Sequence, residues 1–134
     1  MTAYRFDTDN SSLTPFQIVS NLPDTFTGNS RASEIAVSPD GRFVYASNRG
    51  YDSIAIFTSD ASTNRLSPIT WQTTDGRTPR FFAIDPNDRL VYAANEDSDT
   101  IVPFDIDRST GELRGSQGQS ISVGSPVCIL FNEM

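Results

Sequence analysis

Short apolar runs and polar turns alternate along the whole chain. Residues 43–46 are β-prone, and Ile54 and Ile56 flank Ala55 in the alternation expected of a strand. No stretch keeps the 3.6-residue apolar spacing of an amphipathic helix for about ten residues. The pattern predicts an all-β chain with almost no helix.

The pattern occurs twice, 47 residues apart. VSPDGRFVYASNRG at 37–50 returns as IDPNDRLVYAANED at 84–97. A third, partial copy begins at the same interval, because residues 78–84 resemble residues 125–131. Residues 13–16 resemble residues 66–69, so the chain opens with the last part of a preceding unit. Such periodicity predicts a stack of similar modules.

The sequence of each unit predicts four short strands. They fall at 33–38, 42–48, 53–58 and 68–73, then at 80–85, 89–95, 100–106 and 117–122. Ser38-Pro39-Asp40-Gly41 has the residue preferences of a type I turn and would join the first two strands. Four strands per repeat of about 40 to 50 residues predict β-propeller blades, and an all-β sandwich with two similar hairpins is the alternative.

The predicted organisation is one partial propeller domain over 1–134. It comprises outer strands of one blade (1–30), two full antiparallel blades (31–76 and 77–123) and the inner strand of a further blade (124–134). An incomplete ring leaves sheet edges and apolar faces uncovered. We therefore expect either a homo-oligomer that completes the blade stack or a piece of a longer protein.

Composition narrows the chemistry. The net charge of −7 argues against nucleic-acid and membrane partners, which are polyanions. All ten basic residues are Arg, with neither Lys nor His, which excludes Schiff-base chemistry, His relays and His-ligated metals. We expect no metal and no cofactor. Cys128 is the single cysteine and can form no intramolecular disulfide, so a cytoplasmic location is expected. The chain has no apolar run long enough to span a membrane.

Four motifs together resemble the lactonase-type seven-bladed propeller family, which includes propeller 6-phosphogluconolactonases and carboxymuconate-lactonising enzymes. They are AVSPDGRFVY with Asn48-Arg49, the stretch 78–86, LVYAAN at 90–95 and VGSPVCI at 123–129. The Trp-Asp pair of WD40 repeats and the paired glycines of kelch repeats are missing. Seven blades would need about 330 residues, so the chain would be a part of such a protein. Because residues 124–128 resemble the family's C-terminal strand, the resemblance implies the C-terminal portion.

The resemblance implies a lactone hydrolase of the 6-phosphogluconolactonase type, or a fragment of one, acting on a small anionic sugar lactone or carboxylate. Two alternatives stay open. The first is a non-catalytic propeller fragment that acts as a binding or interaction module. The second is a carboxymuconate-type cycloisomerase, which would use the same charge pattern for proton transfer.

Candidate site residues lie where inner strands begin, because propeller ligands gather at the mouth of the central channel. Lactone opening needs a base and an oxyanion stabiliser, and without His these are a carboxylate and Arg. Glu34 and Arg80, each placed before an inner strand, are the catalytic candidates and match positions that resemble the family's active-site Glu and Arg. A salt bridge between blades is the alternative. Predicted substrate-binding residues are Arg31, Asn48, Arg49 and Asn95, with turn geometry as the alternative for the two Asn.

Overall fold

The computed structural model describes residues 1–132 and is built almost entirely of antiparallel β-strands. One 3₁₀ turn, Glu96–Ser98, is the helical exception within these residues, so the predicted all-β class is confirmed. No helix in this part of the chain is long and apolar enough to cross a bilayer. The strands are β1 (Thr2–Asp7), β2 (Ser12–Ile18), β3 (Arg31–Val37), β4 (Phe43–Arg49), β5 (Ser53–Ser59), β6 (Leu66–Thr73), β7 (Pro79–Ile84), β8 (Leu90–Asn95), β9 (Thr100–Ile106), β10 (Leu113–Gly115) and β11 (Ile121–Ser122).

The strands form three sheets in chain order. A hairpin of β1 and β2 comes first, then the meander β3-β4-β5-β6, then the meander β7-β8-β9-β10 with β11 also paired to β9. Tyr45 faces Ile56 in the middle sheet, and Tyr92 faces Pro103 in the third. Both residues of the second pair lie 47 positions after those of the first, so the two sheets share one register.

The outer strand of the third sheet differs from the prediction of one strand at 117–122. Leu113–Gly115 and Ile121–Ser122 pair with opposite ends of β9, and the segment between them leaves the sheet. That segment, 116–120, is polar and contains Gly118, a composition with low β-propensity.

The middle sheet is covered on both faces, and adjacent residues of β4 point to opposite sides. Phe43 and Tyr45 belong to the core shared with the third sheet, which includes Phe82, Val91 and Phe104. Val44, between them, packs with Ala55 and Phe57 in a second core against the N-terminal hairpin. This explains why the strand reads as a continuous apolar run and not as an alternating one.

The two ends of the stack are less covered. The hairpin at 1–30 has the two strands expected there, and Phe6 and Ile18 are 58% and 84% exposed. Over residues 124–132 the expected inner strand of a further blade is not formed, because no described strand lies beside it to share hydrogen bonds. Leu130 in this segment is 88% exposed. The rest of the predicted strand, Glu133 and Met134, lies outside the described residues.

Candidate functional site

The inner strands β3 and β7 begin at the same end of their sheets, which we call the mouth. Each carries a β-bulge near its start: the register shifts between Ala32 and Ile35 in β3 and between Pro79 and Phe81 in β7. A bulge places two residues opposite one and redirects their side chains. Both bulges fall on the residues proposed for catalysis.

Glu34 and Arg80 both precede an inner strand, but they are not equivalent positions of the repeat. At the interval of 47 residues, Glu34 is equivalent to Phe81, and Arg80 is equivalent to Ser33. The two candidate catalytic residues therefore occupy different positions of their modules. Ser33 was not among the residues predicted from the sequence, although the repeat interval alone pairs it with Arg80.

Glu34 is half-buried in the bulge of β3. Its backbone N–H donates to Ser47 Oγ at 3.0 Å, and its Oε1 accepts from the Ile35 N–H at 2.9 Å. The carboxylate is not in an ion pair within residues 1–132. One carboxylate oxygen is thus held in place and the other is left to bind water or substrate.

Arg80 pairs with a carboxylate of its own sheet. Its Nη1 lies 3.4 Å from Glu96 Oε2, with 48% and 27% of the two side chains exposed. The salt bridge to Glu34 considered from sequence is not formed. A different contact joins the two bulges, because Ser33 Oγ donates a hydrogen bond to the Arg80 carbonyl oxygen. Since a surface pair contributes about 0 to 1 kcal/mol, Arg80 can exchange Glu96 for another anion.

Arg31 and Arg49 are direct cross-strand partners at the mouth ends of β3 and β4. Like charges placed opposite each other destabilise a sheet. Neither guanidinium is in an ion pair with a carboxylate of the described chain. The Arg49 Nε is buried and has no hydrogen-bond partner. The pair concentrates positive charge in a protein of net charge −7.

An open cleft lies beside these two arginines. Its lining consists of Asn29, Ser30, Arg31 and Arg49, and Ser30 Oγ donates to the Arg49 carbonyl oxygen at 3.0 Å. Gly50 allows the chain to close here: its φ is +107°, and a Cβ at this position would overlap the Asn29 carbonyl oxygen. Two guanidinium groups beside a hydroxyl and an amide form a suitable site for a phosphate or carboxylate.

Asn48 and Asn95 lie at the same end but are enclosed, at 1% and 0% exposure. The Asn48 Nδ2 donates to the Asn21 carbonyl oxygen at 2.8 Å, and its Oδ1 accepts from the Asn21 Nδ2 at 2.6 Å. The Asn95 Nδ2 donates to the Thr74 carbonyl oxygen at 2.9 Å. Both amides tie the end of a second strand to the segment that precedes its module, and neither lines the cleft.

Carboxylates with shifted pKa values lie at the opposite end of the stack. Hydrogen bonds from the hydroxyls of Ser38, Ser62 and Ser109 hold the pKa values of Asp40, Asp60 and Asp107, respectively, below the usual range. These three aspartates close turns and accept backbone N–H groups as well. Their pKa shifts reflect turn geometry. Within residues 1–132, no group of three Asp, Glu, Cys or His side chains is arranged to hold a metal ion.

Comparison with known proteins gives a consistent result. Residues 1–131 match the family model described as "Lactonase, 7-bladed beta-propeller". A 66-residue segment is 48% identical to a 6-phosphogluconolactonase of Bacillus subtilis, covering 49% of this chain and 19% of that protein.

Solved structures extend the similarity to nearly the whole chain. The crystal structure of a protein from Lactobacillus plantarum superposes with a TM-score of 0.91 at 33% identity, covering 98% of this chain and 38% of the other. The periplasmic gluconolactonase of Pseudomonas aeruginosa superposes with a TM-score of 0.85 at 32% identity, covering 93% and 34%. The chain thus spans about a fifth of the curated relative and less than two fifths of the solved ones. These matches confirm the partial propeller, and they do not bear out the expectation that it is the C-terminal portion.

Proposed function

Because the chain belongs to the seven-bladed β-propeller lactonase family, we propose that it takes part in the hydrolysis of an anionic sugar lactone of the 6-phosphogluconolactone type. The observation that carries this proposal is the cross-strand pair Arg31 and Arg49, which lacks a carboxylate partner in the described chain and lines an open cleft. Such a pair is costly to the sheet unless an anion occupies the cleft.

Arg31 and Arg49 bind the phosphate or carboxylate of the substrate through charge-assisted hydrogen bonds. Glu34 is the base that takes a proton from the attacking water. The water oxygen bonds to the lactone carbonyl carbon and the ring C–O bond breaks. The released alkoxide takes the proton from Glu34, which gives a hydroxy acid and regenerates the Glu34 carboxylate. Arg80 leaves Glu96 and stabilises the negative charge on the carbonyl oxygen. Asn48 and Asn95 act indirectly, by fixing the strand ends that carry these groups.

A cycloisomerase on a carboxymuconate-like acid would use the same charges for proton transfer. No observation favours it over hydrolysis, and the lack of His counts against it if that chemistry uses a His acid. A cytoplasmic location also stays a proposal, since one solved relative is named as periplasmic.

The second candidate is a non-catalytic interaction module that associates with copies of itself. It is favoured by the bare apolar surface at both ends of the stack, including Phe6, Ile18 and Leu130. A second copy stacked on either end would bury this surface and complete more of the blade series. Multi-angle light scattering tests this candidate: an assembly whose mass falls when Ile18→Arg is introduced supports it, and a stable monomer contradicts it.

Hydrolysis of 6-phosphogluconolactone and binding of inorganic phosphate test the first candidate. Loss of a charge-assisted hydrogen bond costs about 1.5 to 3 kcal/mol, so Arg49→Gln should weaken phosphate binding by about tenfold or more. Glu34→Gln and Arg80→Ala should lower kcat. The matched control is Arg89→Gln, an exposed arginine in the β7–β8 hairpin at the other end.

The outcomes separate the candidates. Activity that none of the site substitutions changes would discard the site. Complete inactivity of the wild-type chain, with phosphate binding that Arg49→Gln does not affect, would favour the interaction module.

A further inference from the structure

Thr78 has an unusual backbone conformation at the entrance to the third sheet. Its φ is +58°, although it is β-branched and is followed by Pro79. Few β-branched residues adopt positive φ, and a residue before proline is restricted further. Such a conformation persists only where the surroundings enforce it.

Asp52, in the loop between β4 and β5 of the preceding sheet, supplies that restraint. Its Oδ1 accepts the Thr78 N–H at 3.0 Å and the Gly50 N–H at 3.0 Å. Its carbonyl oxygen accepts the Thr74 N–H at 3.0 Å and the Thr74 hydroxyl at 3.1 Å. One residue thus joins its own loop, the end of its own outer strand and the start of the next inner strand.

The third sheet holds Thr78 from the other side. The Thr78 hydroxyl donates to the Asp97 carboxylate, and the Thr78 carbonyl oxygen accepts the Glu96 N–H at 2.9 Å. Arg80 lies two residues after Thr78, and Glu96 is its ion-pair partner. Asp52 therefore restrains the turn that leads to Arg80 and that hydrogen-bonds to the backbone of its ion-pair partner Glu96.

The carboxylate contact recurs at the interval of 47 residues, and the carbonyl contact recurs with a donor two residues further along. Asp99 Oδ1 accepts the Ser125 N–H at 2.8 Å, and the Asp99 carbonyl oxygen accepts the Val123 N–H at 2.9 Å. Ser125 also has a positive φ, +43°, and precedes Pro126. Both aspartates have left-handed backbones themselves, with φ of +49° and +55°. Because the same geometry occurs in two modules, it is a structural feature of the repeat and not of one loop.

We propose that Asp52 is a positioning residue for Arg80: its carboxylate fixes the left-handed Thr78 turn of the next module and thereby directs Arg80 into the mouth. Asp99 does the same for the turn at Ser125. The role assigned to Arg80 rests on the proposed function, whereas the restraint on Thr78 does not. Through this restraint, the loop of one module influences the position of Arg80 in the next module.

The experiment compares Asp52→Ala, which removes the acceptor, with Asp52→Asn, which keeps an oxygen at the same place. Asp75→Ala is the matched control, because Asp75 also has a left-handed backbone (φ +52°) in a loop at the mouth but accepts its hydrogen bond from Thr73, two residues earlier in the same module. Hydrogen exchange of the Thr78 amide and the NMR shift of the Arg80 Nε–H are measured well below the unfolding temperature.

Asp52→Ala should speed exchange at Thr78 by about tenfold or more and move the Arg80 resonance. Asp52→Asn and Asp75→Ala should change both far less. If the wild type hydrolyses 6-phosphogluconolactone, Asp52→Ala should lower kcat without raising KM, and adding it to Arg80→Ala should cost little more.

Unchanged exchange at Thr78 in Asp52→Ala would overturn the restraint. Faster exchange with an unmoved Arg80 resonance, or losses in kcat that simply add, would leave Asp52 a structural residue and overturn the positioning role. If the wild type is inactive, the proposed function fails, and the two NMR measurements still decide the positioning role.

Discussion

The hydroxyl of Tyr45 donates a hydrogen bond to the carbonyl oxygen of Gly111, 3.0 Å away and 66 residues further along the chain. Tyr45 belongs to β4 of the middle sheet, and Gly111 lies in the loop before β10 of the third sheet. Both residues are buried. The contact fastens the two modules at a point remote from the mouth, so it can be altered without touching the candidate site.

Tyr45→Phe should lower the free energy of unfolding by about 1 to 3 kcal/mol, because the buried Gly111 carbonyl oxygen loses its donor. Urea denaturation measures the change. Tyr4→Phe is the control, since Tyr4 is 51% exposed and should contribute almost nothing. Equal effects of the two substitutions would contradict the assignment.

The free energy of unfolding should fall at high pH because Tyr45 ionises. Burial, with smaller contributions from Asp88 and Asp40, raises the pKa of Tyr45 from its ordinary value of 10.0 to about 12. The folded state therefore holds the phenol proton more tightly, and its stabilising contribution is complete below pH 10 and is lost as the pH rises towards 12. Urea titrations over this range should show a decline that Tyr45→Phe reduces. An identical decline in both proteins would show that other groups cause it.

Gly111→Ala should cost more stability than Gly41→Ala. The two glycines have similar φ values, +77° and +74°, so alanine is strained equally at each. A Cβ at Gly111 would overlap the Phe43 ring, whereas space around Gly41 is open. At both sites the left-handed conformation should lower the free energy of unfolding of the alanine variant by about 1 to 2 kcal/mol. Overpacking should lower it by about 1 to 3 kcal/mol more at Gly111. Equal melting temperatures of the two variants would contradict the predicted overlap with Phe43.

Asn95→Ala should destabilise the chain by about 1 to 3 kcal/mol, because the Thr74 carbonyl oxygen loses its buried donor. Phosphate affinity below the unfolding transition should stay within about twofold of wild type. The control is Asn132→Ala at an exposed position. Weakened phosphate binding without a loss of stability would restore Asn95 as a substrate-binding residue.

Much of the fold could be predicted because its signals are local. Phe43, Val44 and Tyr45 form a continuous apolar run, and the run recurs 47 residues later, which requires a sheet covered on both faces by similar neighbours. The Ser38–Gly41 turn was also predictable, and the Gly41 N–H donates to the Ser38 carbonyl oxygen at 2.8 Å. The end segment at 124–132 was less predictable, because a strand needs a partner that its own residues do not provide.

The order of residues was enough to predict an all-β, modular chain whose charged side chains are arginines and carboxylates. Strand period, turn residues and composition depend on near neighbours or on counting, so each can be read without coordinates. Which charged side chains meet depends on the folded arrangement. Arg80 pairs with Glu96 and not with Glu34, and Arg31 faces Arg49. Those pairings depend on the register of opposing strands, and a shift of one residue reverses the direction of a side chain.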